Sequence, residues 1–208
     1  MKYAEIRLSG AGGQGLGLAG RVLAETAIND GYNVCQTQSY GPEARGGASR
    51  TDVIVSQDEI LYPMCRELDV LLAMNQPSAD KFGEFVKEDG FSLVDSTYVD
   101  QPPAGNVYEY TFTRTSKESF GTPLVANMIA LGMMGALTKY FGLDAWRQAI
   151  MKSVAEKYTE MNLEAFELGH RNGREILHVK EGRVDLAYDR KQPVPDWLKK
   201  IRERQKGQ

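Results

Sequence analysis

Cysteine and histidine are scarce in this chain of 208 residues, which contains two of each. Cys35 and Cys65 stand apart, without a C-x-x-C pair or a histidine at metal-ligand spacing. We therefore do not expect this chain alone to hold a structural zinc ion or an iron-sulfur cluster. Two isolated cysteines and the lack of an apolar export signal at the N-terminus favour a cytoplasmic protein with reduced thiols.

Common catalytic motifs are also missing. The sequence contains no G-x-S-x-G, no H-E-x-x-H and no Walker lysine, and neither His170 nor His178 has an evident nucleophile. The acid and asparagine pair with which thiamine enzymes hold magnesium diphosphate is absent as well. We expect no catalytic residue on this chain.

Long hydrophobic runs and a strong charge of one sign are lacking too. The longest nearly apolar run, residues 124–137, is too short for a membrane span and is interrupted by Asn127, Gly132 and Gly135. It predicts a buried helix. The net charge of -3 offers no general attraction to nucleic acid. Small molecules and other proteins are therefore the expected partners, rather than nucleic acid or membrane.

Glycine, in contrast, is concentrated near the N-terminus. An apolar run at residues 3–8 predicts a buried strand, and apolar residues at helical spacing from residue 16 predict a helix. Between them Gly10, Gly12 and Gly15 satisfy G-x-G-x-x-G. The free amides at the start of such a helix attract an anionic group. The alternative is a glycine-rich turn that only packs tightly.

A second predicted strand at residues 33–39 completes a β-α-β unit. An NAD site would need an acidic residue near the end of this strand to hold the ribose, but the sequence has Gln36 and Gln38 there. The first acid, Glu43, follows a Gly-Pro break. These residues disfavour a nicotinamide dinucleotide as the anionic guest.

Residues 39–47, Ser-Tyr-Gly-Pro-Glu-Ala-Arg-Gly-Gly, have no hydrophobic periodicity and predict a shaped loop. The loop leaves the carboxyl end of the second strand, where ligands collect in open α/β sheets. Arg45 is its one cation. Two roles stay open for Arg45: binding of a phosphate or carboxylate, or a structural ion pair with Glu43 or another acid.

The rest of the chain predicts an α/β fold, a Rossmann-like open sheet with an appended β-hairpin and a helical C-terminal region. The hairpin is expected from residues 49–56 and 59–62, with a turn at Gln57 and Asp58. The further expected elements are strands at 68–74, 91–94 and 107–112 and helices at 78–87, 122–140, 143–155 and 159–174. Ser78 and Thr122 are the expected caps of the first two helices.

The helix at 122–140 is apolar on nearly every side, so its methionines, Met128, Met133 and Met134, are expected in the core or at a subunit interface. Residues 1–180 are expected to form the folded domain and 181–208 a basic C-terminal arm. From residue 189 the arm carries two prolines, seven basic residues and Trp197. It is either a solvated tail or a segment that docks on an acidic partner.

Four segments together resemble the gamma subunit of 2-oxoacid:ferredoxin oxidoreductases. They are Gly10-Ala-Gly-Gly-Gln-Gly15, the 39–47 loop, Ala73-Met-Asn75 and the apolar helix that contains Asn127. The resemblance extends from about residue 3 to residue 175. In that family a 2-oxoacid is oxidatively decarboxylated on thiamine diphosphate to acyl-CoA and carbon dioxide, with reduction of ferredoxin. The 2-oxoglutarate branch looks most similar, although pyruvate, branched-chain oxoacid and indolepyruvate branches share these motifs.

The resemblance implies that this chain binds part of coenzyme A, while partner subunits hold thiamine diphosphate, magnesium and the iron-sulfur clusters. It further implies alpha and beta partners, and in some cases delta, with ferredoxin reached through the complex. The expected cofactor-binding residues are Gly10, Gly12, Gly13, Gln14, Gly15, Tyr40, Arg45, Gly46, Gly47, Asn75 and Asn127. Two rival hypotheses are a stand-alone dinucleotide-binding oxidoreductase and a pure scaffold.

Overall fold

One mixed sheet of six strands organises the chain. The computed structural model describes residues 1–39 and 47–180, with side chains up to residue 177. The strands are β1 (Tyr3–Gly10), β2 (Asn33–Ser39), β3 (Ser49–Ser56), β4 (Leu68–Ala73), β5 (Val86–Asp95) and β6 (Val107–Tyr110). The helices are α1 (Leu16–Asn29), α2 (Gln76–Phe82), α3 (Phe112–Phe120), α4 (Ala126–Thr138), α5 (Leu143–Ser153) and α6 (Glu156–Lys180), with a 3-10 turn at Gly83–Phe85.

The strand order is β2-β3-β1-β4-β5-β6. β1, β4, β5 and β6 are mutually parallel neighbours, whereas β3 is antiparallel to both β1 and β2. β1 and β2 therefore run parallel to each other, as the predicted β-α-β unit requires, but β3 lies between them. The α/β fold class is confirmed.

The expected hairpin of residues 49–56 with 59–62 is wrong. β3 forms ladders with β1 on one side and β2 on the other, so both of its edges are occupied. Residues 59–62 have no strand partner and form irregular structure. Residues 49–56 do form a strand, as their alternation predicts. This strand is inserted between β1 and β2, however, and is not part of a hairpin at the edge of the sheet.

The helices lie on two faces of the sheet. On one face α1, α4, α5 and α6 cover the main core, which includes Ile6, Leu8, Val70 and Leu72 of the two central strands. On the other face α2 packs against alternate residues of β4 in a smaller core. The helices that follow β1 and β4 thus lie on opposite faces, and this reversal creates a crevice at the carboxyl ends of those two strands.

Two helix starts differ from the sequence predictions. Asn75, not Ser78, caps α2, because its side chain accepts a hydrogen bond from the Ser78 amide at 3.0 Å. α2 ends at Phe82, and Lys87 lies in β5 rather than in the helix. Similarly, α4 begins at Ala126 instead of Thr122, whose hydroxyl accepts from the Leu124 amide in a preceding turn.

α3 was not predicted. The strand expected at 107–112 ends at Tyr110, and α3 begins two residues later at Phe112. The start of α3 is fixed by a residue distant in sequence. The buried Asp95 carboxylate accepts hydrogen bonds from the Thr113 amide at 3.1 Å and from the Thr113 hydroxyl. A cap supplied by the end of β5 leaves no local signal at residues 107–112.

α4 is almost completely buried, as its composition indicated. Met128, Met133 and Met134 all lie in the main core, each at most 1% exposed. Within the described residues, none of the helices combines the length and apolar character needed to cross a membrane. Residues 181–208 lie outside the described part, so the domain boundary at residue 180 and the role of the arm stay predictions.

Candidate functional site

The glycine motif forms a tight turn directly after β1. The Gln14 amide donates to the Ala11 carbonyl at 3.3 Å, and the Ala11 amide donates to Gln14 Oε1 at 2.6 Å. These two reciprocal bonds close the turn around Gly12 and Gly13, which are exposed. Gly13 has a φ of +90°, a conformation that favours glycine at the third position of a type II turn.

The start of α1 has the features of an anion-binding helix terminus. Gly15 occupies the N-cap position with φ 70° and ψ 24°, so no side chain caps the helix, and its first turn contains no acidic residue. Within residues 1–39 and 47–180, the amides of Gly12, Gly13 and Gly15 find no hydrogen-bond acceptor. Unpaired amides together with the positive end of the helix dipole favour a phosphate or carboxylate at this place.

Gln14 holds the turn against the neighbouring strand. Its Nε2 donates to the Met74 carbonyl at 3.0 Å, directly after β4. Gly10 must lack a side chain because a Cβ there would lie 2.9 Å from the Met74 Cβ and would overlap Gln14 Oε1. The side chain of Gln14 therefore binds the protein's own backbone on both sides of the crevice.

Asn127 holds the turn from the side of α4. Its Nδ2 donates to the Gly15 carbonyl at 2.9 Å, while its Oδ1 accepts from the Met128 amide at 2.8 Å. The residue is 2% exposed. A Cβ on Gly15 would collide with this Nδ2, so Gly15 needs to be glycine for packing as well as for its positive φ.

Asn75 and Gly47 lie at the same edge of the sheet. Asn75 follows β4, which pairs with β1 as far as Ser9 and Ala73, and its side chain is engaged in capping α2. Gly47 stands two residues before Ser49, the residue paired with Gly10. The structure thus brings eight of the eleven expected residues to one edge. The other three, Tyr40, Arg45 and Gly46, lie outside the described residues.

Neutral amides occupy the place where a dinucleotide site would carry an acid. The side chains of Gln36 and Gln38 on β2 pack against glycines of α1. The Gln36 Nε2 is 3.0 Å from a Cβ built on Gly20, and the Gln38 Nε2 is 3.2 Å from a Cβ built on Gly17. Neither glutamine can act as the anionic acceptor that a ribose diol requires. Glu43 lies outside the described residues.

Gln76, next to this edge, has a structural role that the sequence reasoning missed. Its Oε1 accepts from the amides of Asp100 and Gln101 at 2.9 Å each, and its Nε2 donates to the Gln101 carbonyl at 2.8 Å. It fixes the loop after β5 to the start of α2. Its position three residues after the end of the buried strand β4 was the available signal.

His170 lies on α6, where its backbone faces Gly132 of α4, and its side chain has a structural environment. Burial lowers the pKa of His170, and its ring stacks on Phe166 at 6.2 Å between centroids. Burial therefore favours the neutral form of the His170 side chain. Across the described residues, no group of three or more histidine, cysteine, aspartate or glutamate side chains is placed to hold a metal ion.

Cys65 is expected to be an unreactive thiol. Burial, followed by the nearby Asp52 and Glu5 carboxylates, raises its pKa from 9.0 to about 12. At pH 8 we expect iodoacetamide to modify it roughly 100-fold more slowly in the folded chain than in guanidinium, because only the thiolate reacts. Peptide mass spectrometry measures both rates, and similar rates would contradict the expectation. Because the folded-state pKa is the higher one, the stability contributed by the neutral thiol is lost as the pH rises above about 9.

Comparison with known proteins finds relatives that are oxidoreductases or their subunits. The family model described as pyruvate ferredoxin/flavodoxin oxidoreductase matches residues 5–172. The 2-oxoglutarate synthase subunit KorC of Archaeoglobus fulgidus is 44% identical over 175 residues, which cover 84% of this chain and 90% of that protein.

Solved structures agree with the described fold. The keto/oxoacid ferredoxin oxidoreductase gamma subunit of Geobacter sulfurreducens has a TM-score of 0.76 and 42% identity, over 83% of this chain and 97% of that one. The 2-oxoglutarate:ferredoxin oxidoreductase of Magnetococcus marinus, solved with 2-oxoglutarate, coenzyme A and succinyl-CoA, has a TM-score of 0.73 and 23% identity. The match spans 85% of this chain and 32% of that one, and at this identity it supports the fold alone. With a family match from residue 5 to residue 172, the chain belongs to the pyruvate ferredoxin/flavodoxin oxidoreductase family.

Proposed function

We propose that this chain is the gamma subunit of a 2-oxoacid:ferredoxin oxidoreductase, with 2-oxoglutarate as the oxoacid, and that its glycine turn binds a phosphate group of coenzyme A. The complex catalyses oxidative decarboxylation of the oxoacid to an acyl-CoA. The relatives support this assignment, since a KorC subunit of 2-oxoglutarate synthase is 44% identical and a solved gamma subunit 42% identical. The enzyme of Magnetococcus marinus, which shares the fold, holds coenzyme A.

One observation carries the binding role. The exposed amides of Gly12 and Gly13 have no acceptor among the described residues, and they stand at the N-terminus of a helix of 14 residues. Coenzyme A is rich in phosphate, and phosphate oxygens are the strong acceptors that such amides select. The absence of an acid on β2 argues for this ligand over a nicotinamide dinucleotide.

Chemistry is assigned to the partner subunits. A [4Fe-4S] cluster needs four thiolates and this chain has two cysteines in all, so its donor set does not fit a cluster. We propose that thiamine diphosphate, magnesium and the clusters belong to alpha, beta or delta chains of one cytoplasmic complex that reduces ferredoxin. The gamma chain would bind and orient coenzyme A, while the partner subunits would supply the decarboxylation chemistry.

Replacement of Gly13 by alanine tests the proposal. Alanine disfavours a φ of +90°, so the backbone of the turn must shift. Its amide groups are then no longer oriented to donate hydrogen bonds to a phosphate. In the assembled complex we expect the KM for coenzyme A to rise about ten-fold, equivalent to ~1.4 kcal/mol, with kcat and the KM for 2-oxoglutarate nearly unchanged. Steady-state assays of ferredoxin or viologen reduction give these constants.

Gly31→Ala is the matched control. Gly31 has a φ of +83°, and like Gly13 it has nothing within 4 Å of a built Cβ, but it lies beyond the other end of α1. It should cost similar stability and leave the KM for coenzyme A unchanged. An unchanged KM in Gly13→Ala with weakened subunit association would favour the scaffold hypothesis. Tight binding of NADH measured by calorimetry would favour a dinucleotide enzyme.

A further inference from the structure

The glycine turn is held by two carboxamide side chains that bind its backbone. Gln14 makes one bond within the turn and one to Met74, and Asn127 makes one bond to Gly15. The side chains of both residues are thus directed at the protein itself. The sequence had placed both among the expected contacts to the cofactor.

We infer that Gln14 and Asn127 are positioning residues, which set the affinity for coenzyme A by holding the turn in its binding shape before the ligand arrives. The inference rests on the proposed function. It differs from that proposal because it assigns the role to side chains that do not touch the ligand. It therefore predicts effects that are visible without coenzyme A.

Gln14 suits this task because a carboxamide accepts and donates at the same time. Its Oε1 takes the Ala11 amide, and its Nε2 gives a bond to the Met74 carbonyl. The Met74 amide in turn donates to the Ser9 carbonyl at 2.8 Å. The turn is thereby joined to both central strands. A glutamate would keep the acceptor and lose the donor, whereas a methionine of similar length would lose both.

Asn127 joins the same turn to the most buried helix. The Met128 amide fixes the orientation of its carboxamide, so that Nδ2 and not Oδ1 faces the Gly15 carbonyl. α4 is enclosed by the main core, which makes it a rigid support. Gly15 and Asn127 are mutually dependent, because a side chain at residue 15 would occupy the space of the Asn127 amide.

Without the hydrogen bonds of the Gln14 or Asn127 side chain, the glycine turn keeps its amide groups but can adopt other conformations. Binding must then also order the turn, which raises the KM for coenzyme A without changing the chemistry that follows. We expect Gln14→Met in the assembled complex to raise this KM about five-fold with kcat unchanged. Asn127→Ala is expected to have a similar effect.

The matched controls are Gln76→Met and Asn162→Ala. Gln76 lies at the same edge and makes four side-chain hydrogen bonds, three to residues 100 and 101 and one to Asp80, but none to the glycine turn. Asn162 is 6% exposed and donates to the Tyr158 carbonyl within α6. Both should leave the KM for coenzyme A within two-fold, and thermal unfolding shows whether each variant remains folded.

Hydrogen exchange supplies a readout that does not depend on coenzyme A. In the assembled complex without ligand, the Ala11 amide within the peptide covering residues 10–15 should exchange about ten-fold faster in Gln14→Met than in the parent, because it loses its acceptor. Gln76→Met should leave this peptide unchanged. Unchanged exchange in Gln14→Met, or a KM rise equal to that of the controls, would overturn the inference.

The two proposals can fail separately. If Gly13→Ala leaves the KM for coenzyme A unchanged, the proposed function fails whatever Gln14→Met does. If Gly13→Ala raises the KM and Gln14→Met changes neither KM nor exchange, only the positioning role is rejected. A raised KM in Gln14→Met with parental exchange would instead indicate direct contact between Gln14 and the ligand, and would also reject it.

Discussion

Replacement of Gly169 by valine is expected to destabilise the chain by more than about 3 kcal/mol, enough to leave much of it unfolded. α4 and α6 cross so closely that a Cβ on Gly169 would overlap the Ile129 carbonyl oxygen. On the facing helix, a Cβ on Gly132 would overlap the Phe166 carbonyl oxygen. Since the obstacle in each case is backbone, rotation of a side chain cannot relieve it.

Urea unfolding followed by circular dichroism measures the loss of stability in Gly169→Val. Gly142→Ala is the control, because Gly142 has φ -69° and a built Cβ there meets nothing closer than the Asp30 carboxylate at 4.0 Å. It should change the free energy of unfolding by less than about 1 kcal/mol. A stable Gly169→Val protein with normal helix content would show that α4 and α6 do not pack as described.

The second large effect is expected from Asp52→Asn. Arg7 of β1 and Asp52 of β3 are directly opposite in the ladder, each 3% exposed, and form two bonds of 2.7 Å and 2.8 Å. The Arg7 guanidinium also lies 4.7 Å above the Phe82 ring. Removing the aspartate charge leaves a buried guanidinium without its bidentate partner. We expect a loss of about 3–5 kcal/mol in the free energy of unfolding.

Asp144→Asn is the matched control for this pair. Asp144 also faces an arginine, Arg147 at 3.1 Å, but its side chain is 88% exposed. The change should cost less than about 0.5 kcal/mol, as is usual for exposed ion pairs. A double variant, Arg7→Met with Asp52→Leu, should recover much of the stability lost in Asp52→Asn. Equal costs for Asp52→Asn and Asp144→Asn would contradict the burial of the Arg7 pair.

The order of the strands illustrates where local patterns stop being informative. The alternation at residues 49–56 was recognised, but the neighbours of a strand are chosen by contacts that are distant in sequence. The buried pair of Arg7 and Asp52 spans 45 positions, and it ties β3 to β1 instead of to residues 59–62. α3 was missed for a related reason, because its cap comes from Asp95 at the end of β5.

The candidate site could be predicted in place but not in detail. The sequence identified Gly10–Gly15, Asn75 and Asn127 as residues of one site, and the structure brings them to one edge of the sheet. The sequence could not distinguish residues whose backbone amides are free to bind a ligand from residues whose side chains hold the turn. That distinction depends on which atoms Gln14 and Asn127 reach, and their partners are Met74 and Gly15.

The sequence by itself determined the local features: a strand, a glycine turn and a helix at the N-terminus, a buried apolar helix late in the chain, and the motifs of an oxidoreductase family. These depend on backbone preferences and on hydrophobic periodicity within about ten to twenty residues. Only the tertiary structure decided that β3 lies between β1 and β2 and that Gly132 and Gly169 let α4 and α6 touch. It also directed Gln14 and Asn127 to the backbone, because each of these outcomes requires two distant segments to occupy the same space.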